Sequence, residues 1–427
     1  MDKLLVLFLI FVILAAGCNS SHQVITQPSI TQNIASMPIS TAPLTQYTLF
    51  TPNTTQSSVA QTTTSSVSVI QTPVFPTLND TQPPTIKPSM STATQYLIAL
   101  QNYLIPLVHN WQNIIDNQSS PSKMCYSANL VFMSGAYMPR FHFSLDVMEK
   151  YVDALKEAGV RRIDLNPSLG AWLKTDPQSM ADRANFNSLI NYIHESGLEV
   201  AIDAEFMQGD LTVTKFADYE KAVLSVYPQM AKCNPDILIL VHEPSTMAYR
   251  MNLKISPSEW RQFVIETSKV VQAASPTTKI GVGFLYYEMP TFLQCLNLPL
   301  DYLTLDIYDP LHFDIYAQMV QLAQQSGKKV YVEETWDCLA PVIDPGNLTN
   351  EPDYEQAHEL WFQAINMFAK AYKLTAISPF WSFNFFSYLQ PGQSVFGYPY
   401  ITQVQNAINH GIRTPTFEAY QRLISGE

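Results

Sequence analysis

The chain has 427 residues and a formal net charge of −12, from 36 acidic side chains against 24 Lys and Arg. Length alone allows two or three domains. An acidic body argues against nucleic acid or an anionic lipid surface as partner and suits a neutral substrate. Asp2 cancels Lys3 and Asp80 cancels Lys87, so the whole acidic excess lies beyond residue 93.

Residues 1–18 read as an export signal. Lys3 precedes an unbroken apolar run over 4–16, too short for a comfortable membrane span, and small residues lead to Cys18. Leu14-Ala15-Ala16-Gly17-Cys18 resembles the lipobox of prokaryotic lipoproteins. That resemblance implies cleavage before Cys18, lipidation of its thiol and a place at the cell surface. An ordinary signal peptide with an incidental cysteine, and hence a secreted protein, is the alternative. Residues 19–93 are rich in Ser, Thr, Gln and Pro and almost free of charge. Such a segment cannot bury enough apolar area to offset its ordering entropy, so a disordered stalk is expected. Asn53-Thr54-Thr55 and Asn79-Asp80-Thr81 fit the N-glycosylation pattern.

From residue 94 onward one domain is expected. Residues 96–115 are apolar at roughly helical spacing around Pro106, which predicts a bent helix or a helix pair at the bottom or side of the fold. Strand and helix then alternate. Strands are predicted over 124–130, 162–165, 199–203, 237–241, 279–286, 302–306, 330–333 and 377–383. Helices are predicted over 145–158, 180–195, 219–230, from 257, near 292, and over 315–325, 354–372 and 417–424. Ser256-Pro257-Ser258-Glu259 is a capping box with proline at the first helical position. Eight strands, mostly too apolar for burial on one face alone, predict an α/β fold, a (β/α)8 TIM barrel. A doubly wound open sheet would want a Gly-rich first turn, and Ser127-Ala128-Asn129 is not one.

Chemistry gathers at the carboxyl ends of these strands. The apolar run Ile237-Leu238-Ile239-Leu240-Val241 leads directly into His242-Glu243-Pro244, and the proline ends the strand. Val330-Tyr331-Val332 leads into Glu333-Glu334-Thr335-Trp336, three β/α units of about 30 residues further on. A carboxylate therefore stands at the barrel rim, where such folds place reacting groups, on strands four and seven. Strict alternation lets only one of Glu333 and Glu334 face the mouth. Two carboxylates at one mouth suit glycoside hydrolysis; the plain structural role for either would be to end a strand and pair with a neighbouring cation.

Over residues 125–427 the sequence resembles the clan of retaining glycosidases with (β/α)8 barrels, which includes cellulases, β-mannanases and endo-β-1,4-galactanases. The motifs that carry the resemblance are His242-Glu243-Pro244, Val332-Glu333-Glu334-Thr335-Trp336, Asp306-Ile307-Tyr308 and Ser378-Pro379-Phe380-Trp381-Ser382-Phe383, in this order of strands. It implies Glu243 as acid/base, Glu334 as nucleophile, Tyr308 as hydrogen-bond donor to the nucleophile, and Trp381 as a platform for a sugar ring. His242 replaces the asparagine usual in the clan and could donate a similar bond to substrate. At the end of strand two Asp164 and Asn166 take the rim, and at strand three Asp203-Ala204-Glu205 leaves Glu205 as a spare rim carboxylate. Among the aromatic residues Trp172, Tyr249, Tyr286, Tyr287, Trp336, Phe385, Phe386, Tyr388 and Tyr398, the first expected as sugar contacts are Trp172 and Trp336.

The expected activity is double-displacement cleavage of a β-linked poly- or oligosaccharide, endo-acting, by a monomer without cofactor or metal. Two alternatives stand beside it. A metal-dependent barrel hydrolase would want His-x-His on strand one, which is missing. A catalytically inactive glycan-binding barrel would not need the two glutamates. Of the cysteines, Cys125, Cys233, Cys295 and Cys338 are compatible with one or two disulfides or with free thiols, and no C-x-x-C suggests zinc.

Overall fold

The computed structural model describes residues 92–120, 123–130, 144–204, 211–337, 352–390, 393 and 398–426. All of them belong to one unit, Ile86–Glu427. The export signal with Cys18, the stalk and its two glycosylation patterns, Glu205 and Cys338 lie outside the described residues.

Eight parallel strands close into a barrel in sequence order. They are β1 (Cys125–Leu130), β2 (Arg162–Leu165), β3 (Glu199–Asp203), β4 (Ile237–Ile239), β5 (Lys279–Phe284), β6 (Tyr302–Ile307), β7 (Lys329–Thr335) and β8 (Ala376–Pro379). The helices are α1 (Thr92–Asp116), α2 (Leu145–Glu157), α3 (Leu169–Leu173), α4 (Pro177–Glu195), α5 (Phe216–Ala231), α6 (Pro244–Arg250), α7 (Pro257–Ala274), α8 (Met289–Cys295), α9 (Phe313–Gln325), α10 (Pro352–Ala371), α11 (Tyr398–Asn409) and α12 (Pro415–Ser425). Their starts follow local chemistry: Ser144, Asp176, Ser256 and Thr414 each accept from a backbone N–H in the first turn of their helix. The predicted capping box forms, with Ser256 N–H donating to Glu259 Oε2 at 2.7 Å. Pro106 does not split α1. That helix packs along the side of the barrel, with Trp111 edge-on to Phe313 of α9 and to Phe368 of α10.

Three strands stop short of their predicted ends. β4, β5 and β8 end at Ile239, Phe284 and Pro379, and short helical turns follow them: α6, and 3-10 turns at Tyr286–Glu288 and Ser382–Phe385. The apolar stretch after Ile239 stays buried and still bonds to β5, Leu240 N–H to Gly281 O and Gly283 N–H to Val241 O, each at 2.8 Å. Apolarity therefore ran further than strand geometry. α3, α6 and α11 were not expected.

The core has two parts. Most buried apolar side chains fill the layer between the strands and the surrounding helices. A small cluster, Ala201, Ile237, Ile239, Tyr302, Tyr331 and Ala376, plugs the inside of the barrel. The rest of the interior is polar and buried: Ser127, Asn129, Asp164, Asn166, Asp203, Thr304, Asp306, Glu333 and Ser378. Gly283 makes room for this layer, since a Cβ there would stand 2.6 Å from Glu333 Oε2. Cys125, Cys233 and Cys295 are free thiols. Burial pushes the first two up to about 11 and Cys295 up to about 12, so these thiols are unreactive at neutral pH.

Candidate active site

Glu243 is the residue before α6, and its backbone lies in the left-handed region at φ 42° and ψ 74°. For a residue with a Cβ this costs about 1–2 kcal/mol. The Glu243 carboxyl is buried and does not fold back onto the helix. It faces His242, whose Nε2 stands 3.9 Å from Glu243 Oε2 and 3.6 Å from Glu334 Oε1. One imidazole nitrogen thus touches the ends of strands four and seven at once. Tyr308 O–H donates to the other oxygen of Glu334 at 2.6 Å.

Glu334 reaches this position through a β-bulge. Leu305 pairs with Val332 but Asp306 with Glu334, and on the other side Val332 pairs with Ile377 but Thr335 with Pro379. Both registers give β7 one extra residue. The expectation that only one of the two glutamates could point inward is corrected by this bulge. Glu333 also lies inside, accepting from Thr304 Oγ1 one layer deeper, and it clusters with His242 and Asp306.

Below the pair, His242 Nδ1 forms an ion pair with Asp203 Oδ2 at 2.9 Å and lies 3.9 Å from Asp306 Oδ2. Asn166 Nδ2 donates to Asp203 Oδ2 at 3.3 Å. So His242 and Asn166, expected as substrate contacts, both bear on Asp203, and His242 is held from behind with Nε2 left toward the carboxylates. Burial opposes the imidazolium, but Asp203, Glu334 and Asp306 outweigh it and hold His242 well above its ordinary value. Burial first, and neighbouring carboxylates after it, push Asp306 and Glu333 well above the usual range. These two keep their protons where an exposed carboxyl would have lost them.

The aromatic residues divide. Trp381 is half-buried, edge-on to Phe380 and Phe383, and keeps part of its surface open. Trp172 and Trp336 do not serve as open platforms. Trp172 is 8% exposed and packs on Phe186, while Trp336 is 3% exposed and wedged among His358, Phe362 and Phe385. Both indoles fill space between the strand ends and the outer helices, which a large ring does well. Of the aromatic residues expected near the site, Tyr249, Tyr287 and Tyr398 are exposed.

Two buried carboxyls stand outside the motifs, Asp337, which pairs with His358 and Tyr96, and Glu288. Glu288, two per cent exposed, follows Tyr286-Tyr287 beyond β5. A carboxylate just past a buried strand was the only available signal. Burial and the nearby Glu243 push it up to about 8.

These shifts share one sign. Asp164 moves from 3.8 to about 6, chiefly by burial, and Glu288 from 4.5 to about 8. A carboxyl with a raised folded value contributes stability that is complete below its unfolded value and lost as pH rises through the folded one. His242, also raised, has the same sign. Thermal unfolding is therefore expected to give a Tm that falls steadily from pH 5 to pH 8. Asp164→Asn with Glu288→Gln should flatten the slope; a wild-type Tm independent of pH over this range contradicts the assignment.

No protein-family model matches the sequence, and no curated protein matches it. Solved structures do match. An exo-β-1,4-mannosidase from Opitutaceae bacterium strain TAV5 superposes with a TM-score of 0.50 at 12% identity, covering 71% of this chain and 59% of that one. Clostridial cellulose synthase subunit Z from Clostridioides difficile has a TM-score of 0.47 at 14% identity, covering 67% and 99%. A family 5 xyloglucanase from Paenibacillus pabuli has 0.46 at 13% identity, covering 68% and 98%. What the chain shares with them is the fold, a closed barrel of eight parallel strands. At these identities the likeness is one of fold, and the particular reaction rests on the site.

Proposed function

We propose that the protein is a retaining glycoside hydrolase that cleaves a β-linked poly- or oligosaccharide by double displacement. One observation carries the proposal: Glu243 and Glu334, from the ends of β4 and β7, stand 3.9 and 3.6 Å from a single nitrogen inside one barrel mouth. Glu334 attacks the anomeric carbon as the bond to the leaving oxygen breaks, and Glu243 delivers its proton to that oxygen. Water then attacks the glycosyl ester, with Glu243 taking the proton, and Glu334 is released. Tyr308 orients Glu334 by its hydrogen bond, and the His242 imidazolium keeps negative charge favourable between the two carboxyls. The open part of Trp381 suits the apolar face of a pyranose.

A metal-dependent hydrolase has one observation in its favour. Donor atoms of Asp203, His242 and Glu334, and likewise of His242, Asp306 and Glu333, lie within 4.8 Å of one another. Both triplets depend on His242, whose Nδ1 is already paired with Asp203. Incubation with β-glucans, mannans and galactans, with and without a chelator, separates the readings. Sugar release that survives the chelator is expected. Release that stops and returns with a divalent ion supports the metal reading. Binding without release would mean a glycan-binding barrel.

A further inference from the structure

We propose that Glu288 is a positioning residue for the acid/base, clamping the turn that aims Glu243 into the site; the inference rests on the hydrolase reading above. Glu243 occupies the position from which a side chain ordinarily caps a helix by accepting from the N–H groups of its first turn. Its own carboxyl makes no such bond, although the backbone before α6 is left-handed there. Pro244 has no N–H, so Ser245 offers the first donor of the helix. That N–H donates to Glu288 Oε1 at 2.5 Å, across from the loop after the neighbouring strand. Glu288 Oε2 accepts from its own Leu285 N–H at 2.8 Å.

One buried carboxyl therefore ties the loop after β4 to the loop after β5. It performs for α6 the capping that Glu243 would otherwise perform, and so leaves Glu243 free to point at the sugar. Glycine would meet the left-handed backbone without strain but has no acid to offer. Glutamate at 243 is imposed by the chemistry, and its backbone must be held by something else. A carboxyl buried merely to fill space is costly where an apolar side chain would serve. Its two oxygens on two different loops are what an apolar residue could not supply.

The test separates positioning from general support of the fold. In glycosides, a poor leaving group such as a sugar or methanol needs the proton from Glu243, whereas 2,4-dinitrophenolate leaves without it. kcat/KM, which reports events up to the first bond cleavage, would be measured for both kinds of substrate built on the sugar that the wild type releases. Glu288→Ala is expected to lower kcat/KM about 30- to 100-fold for the poor leaving group and no more than about threefold for dinitrophenolate. Glu288→Gln, which keeps an oxygen for Ser245 N–H, should recover most of the loss. Equal losses for both leaving groups, or none, overturn the proposal. If the wild type releases no sugar at all, the hydrolase reading fails, and a crystal structure of Glu288→Ala, or of Glu288→Leu should Ala not fold, still decides the clamp. The Glu243 backbone is expected to leave the left-handed region or its carboxyl to withdraw from His242. An unchanged 243–245 turn would sink the inference.

Discussion

Glu334→Ala is expected to lower kcat by at least about four orders of magnitude while leaving the unfolding temperature near that of the wild type. In the proposed mechanism this removes the covalent step: Tyr308 and His242 contact Glu334 from two sides, but a neutral phenol and an imidazolium are poor nucleophiles. Glu243→Ala should cost roughly 10²- to 10⁴-fold, the usual worth of acid–base assistance. Azide distinguishes the roles. With a dinitrophenyl substrate it should rescue Glu243→Ala to give the glycosyl azide of retained configuration, and rescue Glu334→Ala to give the inverted one. The bulge in β7 makes Glu333 the natural control, because it too lies inside the barrel. Turnover that survives Glu334→Ala but not Glu333→Ala would exchange their roles.

The second large effect concerns the pair beneath the site. Asp203→Ala removes the 2.9 Å partner of His242 and leaves an imidazolium buried at 3% exposure with its nearest counter-charge gone. Breaking a buried ion pair from one side costs about 3–5 kcal/mol. For a domain of this size Tm should fall by roughly 10 °C. Asp203→Asn combined with His242→Leu should recover much of the stability, since no buried charge is then left without a partner. The same double variant should not recover turnover, because the nitrogen that faces Glu243 and Glu334 is lost with the imidazole. Stability and activity that recover together would show the pair to be merely structural.

Much of the fold was legible because buried parallel strands advertise themselves. Ile237–Ile239 and Tyr302–Ile307 could only be strands hidden on both faces, and helices closed by Gly159, Gly197 and Gly327 at positive φ fell between strands at barrel spacing. Glu243, Glu334 and Tyr308 were legible for the same reason: each stands where an apolar run ends, and position along a strand is a local property. Trp172 and Trp336 were misread because an indole that packs and an indole that stacks on sugar look alike in sequence. Only the neighbours Phe186, Phe362 and Phe385 tell them apart. Glu288 was missed because its partner, the N–H of Ser245, lies on another loop.

The sequence by itself determined a closed barrel with two rim carboxylates on strands four and seven, because hydrophobic run length and strand-ending residues are written locally. Only the tertiary structure decided that β7 takes one extra residue and turns both Glu333 and Glu334 inward, that His242 is gripped by Asp203, and that Glu288 clamps the turn at Glu243. Each of these depends on the register between strands or on a contact between loops far apart in the chain. Such choices are made when elements pack against one another, and they leave no periodic mark on the sequence of any one of them.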